Sequence, residues 1–303
     1  MSGELDLIER LRALPLHEGA RNLDDDAAVL EIGGETLVLT HDMLVEGVHT
    51  ARGQDAADVA WKLVATNLSD LAAKGARPVG VLVGFTRGKD EARFVAGLEA
   101  ALRHYGVPLL GGDTVSGGPP RSHGLTAIGR ASHVPVPSRG GARPGDAVWV
   151  TGTLGAALAG FEALTAGDRD GAGAYLRPRA LVGEGVALAP VATAMMDVSD
   201  GLLLDAWRMA RASGANLVLE SAAVPIALPE ARRDEALRWG DDYQLLFALP
   251  AGLAPPVRAT RIGTVESPDS RGDGGSDGDS DGGGALILDG RPIASPDGLG
   301  YSH

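Results

Sequence analysis

Apolar positions recur along this chain at two spacings, helical and strand-like, and the two alternate from end to end. Leu5, Ile8 and Leu11, with Leu7 and Leu14, fall near helical spacing, which predicts an amphipathic helix over 4–13 stopped by Pro15. Two apolar runs, 27–32 and 35–40, flank Gly33-Gly34, a hairpin signal with a two-residue turn, and the second strand should deliver Asp42 at its end. Val59, Leu63, Val64, Leu68 and Leu71 form the buried face of a long helix over 55–73, ended by Gly75 with Pro78 beyond. A strand over 78–85, a helix over 90–105 closed by Gly106, a short strand over 107–110 ending at Gly111-Gly112-Asp113, and a strand over 124–129 complete the first half.

Pro135, Pro137, Gly140, Gly141, Pro144 and Gly145 then crowd together, the best domain boundary in the chain. The alternation resumes after it. A strand over 147–151 feeds Gly152-Thr153-Leu154-Gly155 and an Ala-rich helix over 156–166. Residues 195–198 read as a strand, 201–213 as a helix capped by Ser199 or Asp200, and 244–249 and 285–288 as strands. Each half therefore reads as an α/β (α+β) unit, a mixed sheet packed with helices, over 1–137 and 138–303. Residues 267–284 hold five Asp, seven Gly and no large apolar side chain, so they read as a flexible insertion.

Composition narrows the function classes. The 303 residues carry a formal charge of −13, which argues against nucleic acid as a partner. No apolar run approaches a membrane span, and Met1 to Asp6 lack the basic and apolar regions of a signal peptide. Cysteine is absent, which removes disulfides, thiolate metal sites and a Cys nucleophile and fits a cytoplasmic protein.

Five short Asp-bearing segments carry the candidate chemistry: Asp24-Asp25-Asp26, Thr40-His41-Asp42, Asn67-Leu68-Ser69-Asp70, Gly111-Gly112-Asp113 and Asp197-Val198-Ser199-Asp200-Gly201. One such segment alone is best read as a turn or helix cap. Five of them suggest carboxylates gathered around hard cations such as Mg²⁺, which also hold substrate phosphates. Asn67 and Asp70 sit on a helix face that should be buried, where such groups need hydrogen bonds or a metal. Gly152 to Gly155 is a weak phosphate signal, better explained as a tight turn. His49 lies close to Asp42 in sequence and can meet an anionic substrate, although a lone His is more often structural.

These motifs, in this order, resemble the thiamine-monophosphate kinase family of the AIR-synthase-like superfamily. The resemblance rests on Asn67 to Pro78, Leu110 to Thr114, Arg143 to Asp146 with Val150-Thr151-Gly152, and Asp197 to Leu202. Asp42 to His49 and Gly240-Asp241-Asp242-Tyr243 separate it from AIR synthase itself. It implies a two-domain AIR-synthase-like fold with ATP and thiamine monophosphate bound between the domains. Several Mg²⁺ ions, in-line phosphoryl transfer without a covalent intermediate, and a homodimer formed through the N-terminal sheets are implied too. Position by position it implies metal ligands at Asp26, Asp42, Asp70, Asp113, Asp197 and Asp200, with Thr40 and the His41 main chain. It implies catalytic roles for Asp70 and Asp200, nucleotide contacts at Tyr105, Gly112, Arg139 and Ser199, and substrate contacts at His49 and Asp241.

The chain departs from the family pattern in three places. His41 replaces a usual Ser or Thr, Asp241 a usual Glu, and no aromatic residue stands at Gly298, where Tyr301 is the nearest substitute. Two other readings stand beside this one. The first is an AIR-synthase-like ATP-dependent ligase acting on another acceptor. The second is a non-catalytic acidic protein that binds Ca²⁺ through 267–284.

Overall fold

The computed structural model describes the backbone of residues 2–268 and 284–301, with side chains from residue 7 onward. The expected flexible stretch 267–284 falls, from 269 to 283, outside the described residues.

The first half begins with helix α1 (Ser2–Arg12) and the hairpin β1 (Ala28–Ile32) and β2 (Glu35–Val45). Helix α2 (Ala56–Ala73) follows, then β3 (Ala76–Arg87), α3 (Glu91–Tyr105), β4 (Leu109–Ser116) and β5 (Ser122–Ala131). The sheet order is β1-β2-β5-β3-β4, antiparallel except for the parallel β3–β4 pair at one edge.

The second half contains β6 (Ala147–Thr151), α4 (Ala156–Thr165), α5 (Gly173–Leu176), α6 (Val182–Leu188), β7 (Ala194–Val198) and α7 (Leu202–Ser213). It continues with β8 (Asn216–Leu219), α8 (Arg233–Arg238), β9 (Gln244–Leu249), β10 (Ala259–Glu266), β11 (Leu286–Leu288) and β12 (Arg291–Ile293). Its sheet order is β12-β11-β8-β10-β6-β9-β7. Among the described residues no helix is long and apolar enough to cross a membrane.

Helix α2 is the spine between the halves. It buries every residue except Ala56, Val59 and Trp61. One side packs with the first sheet around Leu63, Val64, Leu68 and Leu71, and Ala72 and Ala73 join Leu188, Met195 and Phe247 of the second half. Close approach needs glycine here: a Cβ at Gly185 of α6 would sit 1.9 Å from Ala72 O, and one at Gly97 of α3 would sit 2.2 Å from Ala57 O.

Three expectations need correction. Strand β2 does not end near Asp42; it runs to Val45, because β5 pairs with it from Leu37–Arg130 through to Val45–Ser122. Strand β4 does not end at Gly111-Gly112-Asp113 but runs on to Ser116 beside β3, and a Cβ at Gly112 would lie 2.0 Å from Val83 O. Neither Ser199 nor Asp200 caps α7, whose N-cap is Gly201; the buried Asp205 instead accepts the N–H groups of Ser199 and Asp200 at 3.1 Å each. Those N–H groups precede the helix, so Asp205 fixes the loop leading into α7 rather than capping its first turn.

Candidate active site

A cavity of about 690 Å³ opens between the two halves, within the range of small-ligand sites. Asp26, Asp42, Asp70, Asp197, Ser199, Asp200, Arg139, His49 and Asp241 all line it. The remaining sequence candidates stand elsewhere. Thr40 is buried beneath the cavity and donates from Oγ1 to Asp70 Oδ2. His41 points to the opposite face of β2, its Nδ1 2.9 Å from Thr126 Oγ1, as strand alternation requires. Gly112 and Asp113 lie on the fully exposed β4, where Asp113 Oδ1 accepts the Thr114 N–H. Tyr105 packs beside Trp61, its hydroxyl accepting the Ala180 N–H at 3.0 Å.

The polar face of α2 holds the carboxylates in place. Asn67 Oδ1 accepts the Asp42 N–H at 2.9 Å, while its amide donates to Leu63 O. Ser69 donates to Asp197 Oδ2 at 2.5 Å, and Asp70 reaches Thr40. Asn67, Ser69 and Asp70 thus each reach an Asp segment or the strand that carries one, while Thr66 donates to Leu63 O within the helix and Asp58 pairs with Arg169 and Arg177.

The electrostatics are strained. Burial, with repulsion from Asp42, Asp197 and Asp26, raises Asp70 well above the ordinary carboxylate range. Burial and the charge of Asp26 push Asp197 up to about 8. Asp26 behaves oppositely: burial alone would raise it, but Arg139 and Lys74 hold it well below the usual range. Arg139 pairs with Asp26 Oδ1, and Lys74 Nζ stands 2.8 Å from Oδ2, out of line for a hydrogen bond.

These residues fit Mg²⁺ by donor chemistry. They are all oxygen donors, and two of them, Asp70 and Asp197, prefer protonation unless a cation offsets their repulsion. Among the described residues no three His, Asp or Glu side chains stand close enough to hold a metal ion by themselves. An open set suits Mg²⁺, which keeps waters and substrate phosphates as ligands rather than using an all-protein shell.

The cavity is also lined by aromatic side chains. Phe161, Tyr175, Trp239, Tyr243 and Tyr301 line it, with Phe161 5.3 Å from Trp239 and Tyr301 6.2 Å from His49 between ring centroids. Gly298 does not line it, whereas Tyr301 does. Asp241 and Tyr243 adopt φ +61° and +50°, uncommon for side chains of this kind. They flank Asp242, whose carboxylate accepts the N–H groups of Gly155 and Ala157 at 2.6 and 2.9 Å. The helix start after Gly152 to Gly155 is therefore capped by protein, in line with the tight-turn reading.

Several contributors were not anticipated. Phe161, Tyr175 and Trp239 carry no local motif. Arg208, paired with Asp200 and with Asp205, has one local signal, the i, i+3 spacing from Asp205. Lys62 is charged yet falls within the apolar run of α2, a signal visible in the chain.

Comparison with known proteins agrees with this architecture. The AIR synthase related protein N-terminal domain matches residues 24–131, and the corresponding C-terminal domain matches 143–268. The thiamine-monophosphate kinase of Escherichia coli K12 is 36% identical over 82% of this chain and 83% of its own length. A solved structure described as AaThiL complexed with AMPPCP and TMP superposes with a TM-score of 0.83 at 29% identity, over 100% of this chain and 97% of the other. The crystal structure of thiamine-monophosphate kinase from Stenotrophomonas maltophilia gives 0.73 at 31% identity, over 96% and 98%.

Proposed function

The chain belongs to the thiamine-monophosphate kinase family, and from that membership we propose how its cavity works: it transfers the γ-phosphoryl group of ATP to thiamine monophosphate, giving thiamine diphosphate and ADP. The observation that carries this reading is the convergence of Asp26, Asp42, Asp70, Asp197 and Asp200, drawn from both halves, in one cavity that aromatic side chains also line. We divide the chain into domains 1–137 and 138–303, with the reaction between them.

Asp26, Asp42, Asp70, Asp197 and Asp200 would hold several Mg²⁺ ions, which when bound neutralise the phosphates of both substrates. Asn67, Ser69 and Thr40 keep these carboxylates oriented. Arg139 and Ser199 face the nucleotide, and Asp70 and Asp200 are the groups we name as catalytic. His49 Nδ1 accepts the Val45 N–H at 3.0 Å, which orients the ring in the cavity toward the acceptor phosphate. Asp241, Tyr301 and the other aromatic side chains receive the thiamine rings, whose positive thiazolium suits π faces. A phosphate monoester is largely ionised near neutral pH, with a second pKa of about 6. No strong general base is needed, and positioning with charge neutralisation carries the transfer.

Turnover tests this directly. With ATP, thiamine monophosphate and Mg²⁺, chromatography should show thiamine diphosphate and ADP in equal amounts, and chelation should abolish both. ADP without thiamine diphosphate would overturn the acceptor.

A homodimer through the N-terminal sheets and a cytoplasmic location complete the proposal. Strand β4 supports the dimer: all its residues are exposed, including Leu109, Leu110 and Val115 at 51–53%, an edge that unpaired would invite association. Light scattering should give the mass of a dimer; a monomer at all concentrations would remove it.

A further inference from the structure

Lys62 is fully buried on α2 and does not line the cavity. A buried ammonium is costly unless each of its donors finds a partner. Here it donates to Asp241 Oδ2 at 2.6 Å and to His49 O at 2.9 Å, and it stands 4.2 Å above the Tyr175 ring. These three partners come from both halves of the molecule. Asp241 is otherwise held by the Tyr243 hydroxyl, 2.9 Å from Oδ1, so Lys62 and Tyr243 between them grip both carboxylate oxygens. The His49 ring is fixed by the Val45 N–H, and its main chain by Lys62.

We propose that Lys62 is a positioning residue for the acceptor: from beneath the cavity it sets His49 and Asp241, the two groups that receive thiamine monophosphate, at one mutual spacing. This deepens the kinase reading and rests on it. The nucleotide side does not share the device, since Asp26, Asp70 and Arg139 are held by Lys74, Thr40 and one another. Lys62 also has a particular task in this chain. Asp241 is one methylene shorter than Glu, so the point at which its carboxylate is anchored decides how far into the cavity it reaches.

The test is steady-state kinetics of the full chain with Lys62→Met. KM for thiamine monophosphate should rise roughly tenfold to a hundredfold, the scale of a misplaced binding group, with KM for ATP unchanged. Lys62→Met combined with Asp241→Asn should cost less than the sum of the two single variants, because the two share the Lys62–Asp241 contact. A rise in both KM values together, an unchanged KM for thiamine monophosphate, or additive effects would overturn the proposal. Should Lys62→Met fail to fold, Lys62→Arg keeps the charge while changing its geometry, and the same split between the two KM values decides. Wild-type protein that does not turn over thiamine monophosphate would sink the kinase reading instead, so the two failures are distinct.

Discussion

Asp70→Asn should lower turnover of thiamine monophosphate by about a thousandfold or more, the scale of losing several kcal/mol of charge stabilisation at a transferring phosphoryl group. Asp70 is the most central of the gathered carboxylates: it feels Asp42, Asp197 and Asp26 at once, and Thr40 orients it. Asn has the same shape and can still accept from Thr40, so the fold should survive. Metal-free stability should rise. A carboxyl whose folded pKa lies above its unfolded value destabilises the fold once it ionises, as burial and three like charges make it do here. Replacing it by a neutral amide removes that penalty at neutral pH. Thermal melts in chelator and kcat in Mg²⁺ together check this. Near-normal turnover would remove Asp70 from the catalytic set.

The second large effect concerns stability. Lys74 is fully buried at the C-cap of α2, where Nζ pairs with Asp25 and Asp26 and donates to Met195 O at 3.2 Å. Lys74→Met should cost about 3 kcal/mol, the low end for breaking a buried ion pair, because Arg21 still holds Asp25 and Arg139 still holds Asp26. Burial opposes the ionisation of Asp25, and Lys74 overcomes it, so that carboxyl sits below its usual range. Stability from a depressed carboxylate is present above the unfolded pKa and lost as pH falls through the folded one. The gap between wild type and variant should therefore be full at pH 7 and narrow as pH falls below about 4. Denaturant unfolding at the two pH values measures it. An equal gap at both would mean that lost packing, not charge, is responsible.

Much of this molecule was legible along the chain. The helices over 55–73 and 90–105 agree with the structure within a residue or two, because Asp55 caps the first through the Ala57 N–H and Gly106 closes the second in the left-handed region, both acting within one turn. The hairpin at Gly33-Gly34 and the aspartate segments were equally local signals. Strands were less well bounded: β2 and β4 outrun their apolar patterns because their lengths are decided by the partners alongside, β5 and β3. The start of α7 departs from the local signal because Gly201 takes the N-cap position at φ +106°, while Asp205 holds the N–H groups of Ser199 and Asp200 in the preceding loop.

What the sequence alone determined is the menu of elements, the break between two α/β halves, and which carboxylates stand beside small or polar residues. Periodicity, caps and turns act over a few residues, so the chain reports them without its fold. Only the tertiary structure decided which of those carboxylates meet. It placed Asp26, Asp42, Asp70, Asp197 and Asp200 around one cavity and left Asp113 on an exposed edge. It also matched Ser69 to Asp197 across 128 residues and Lys62 to Asp241 across 179. Such pairings depend on how two sheets close over one helix, and the burial that sets their charges exists only once that closure has excluded water.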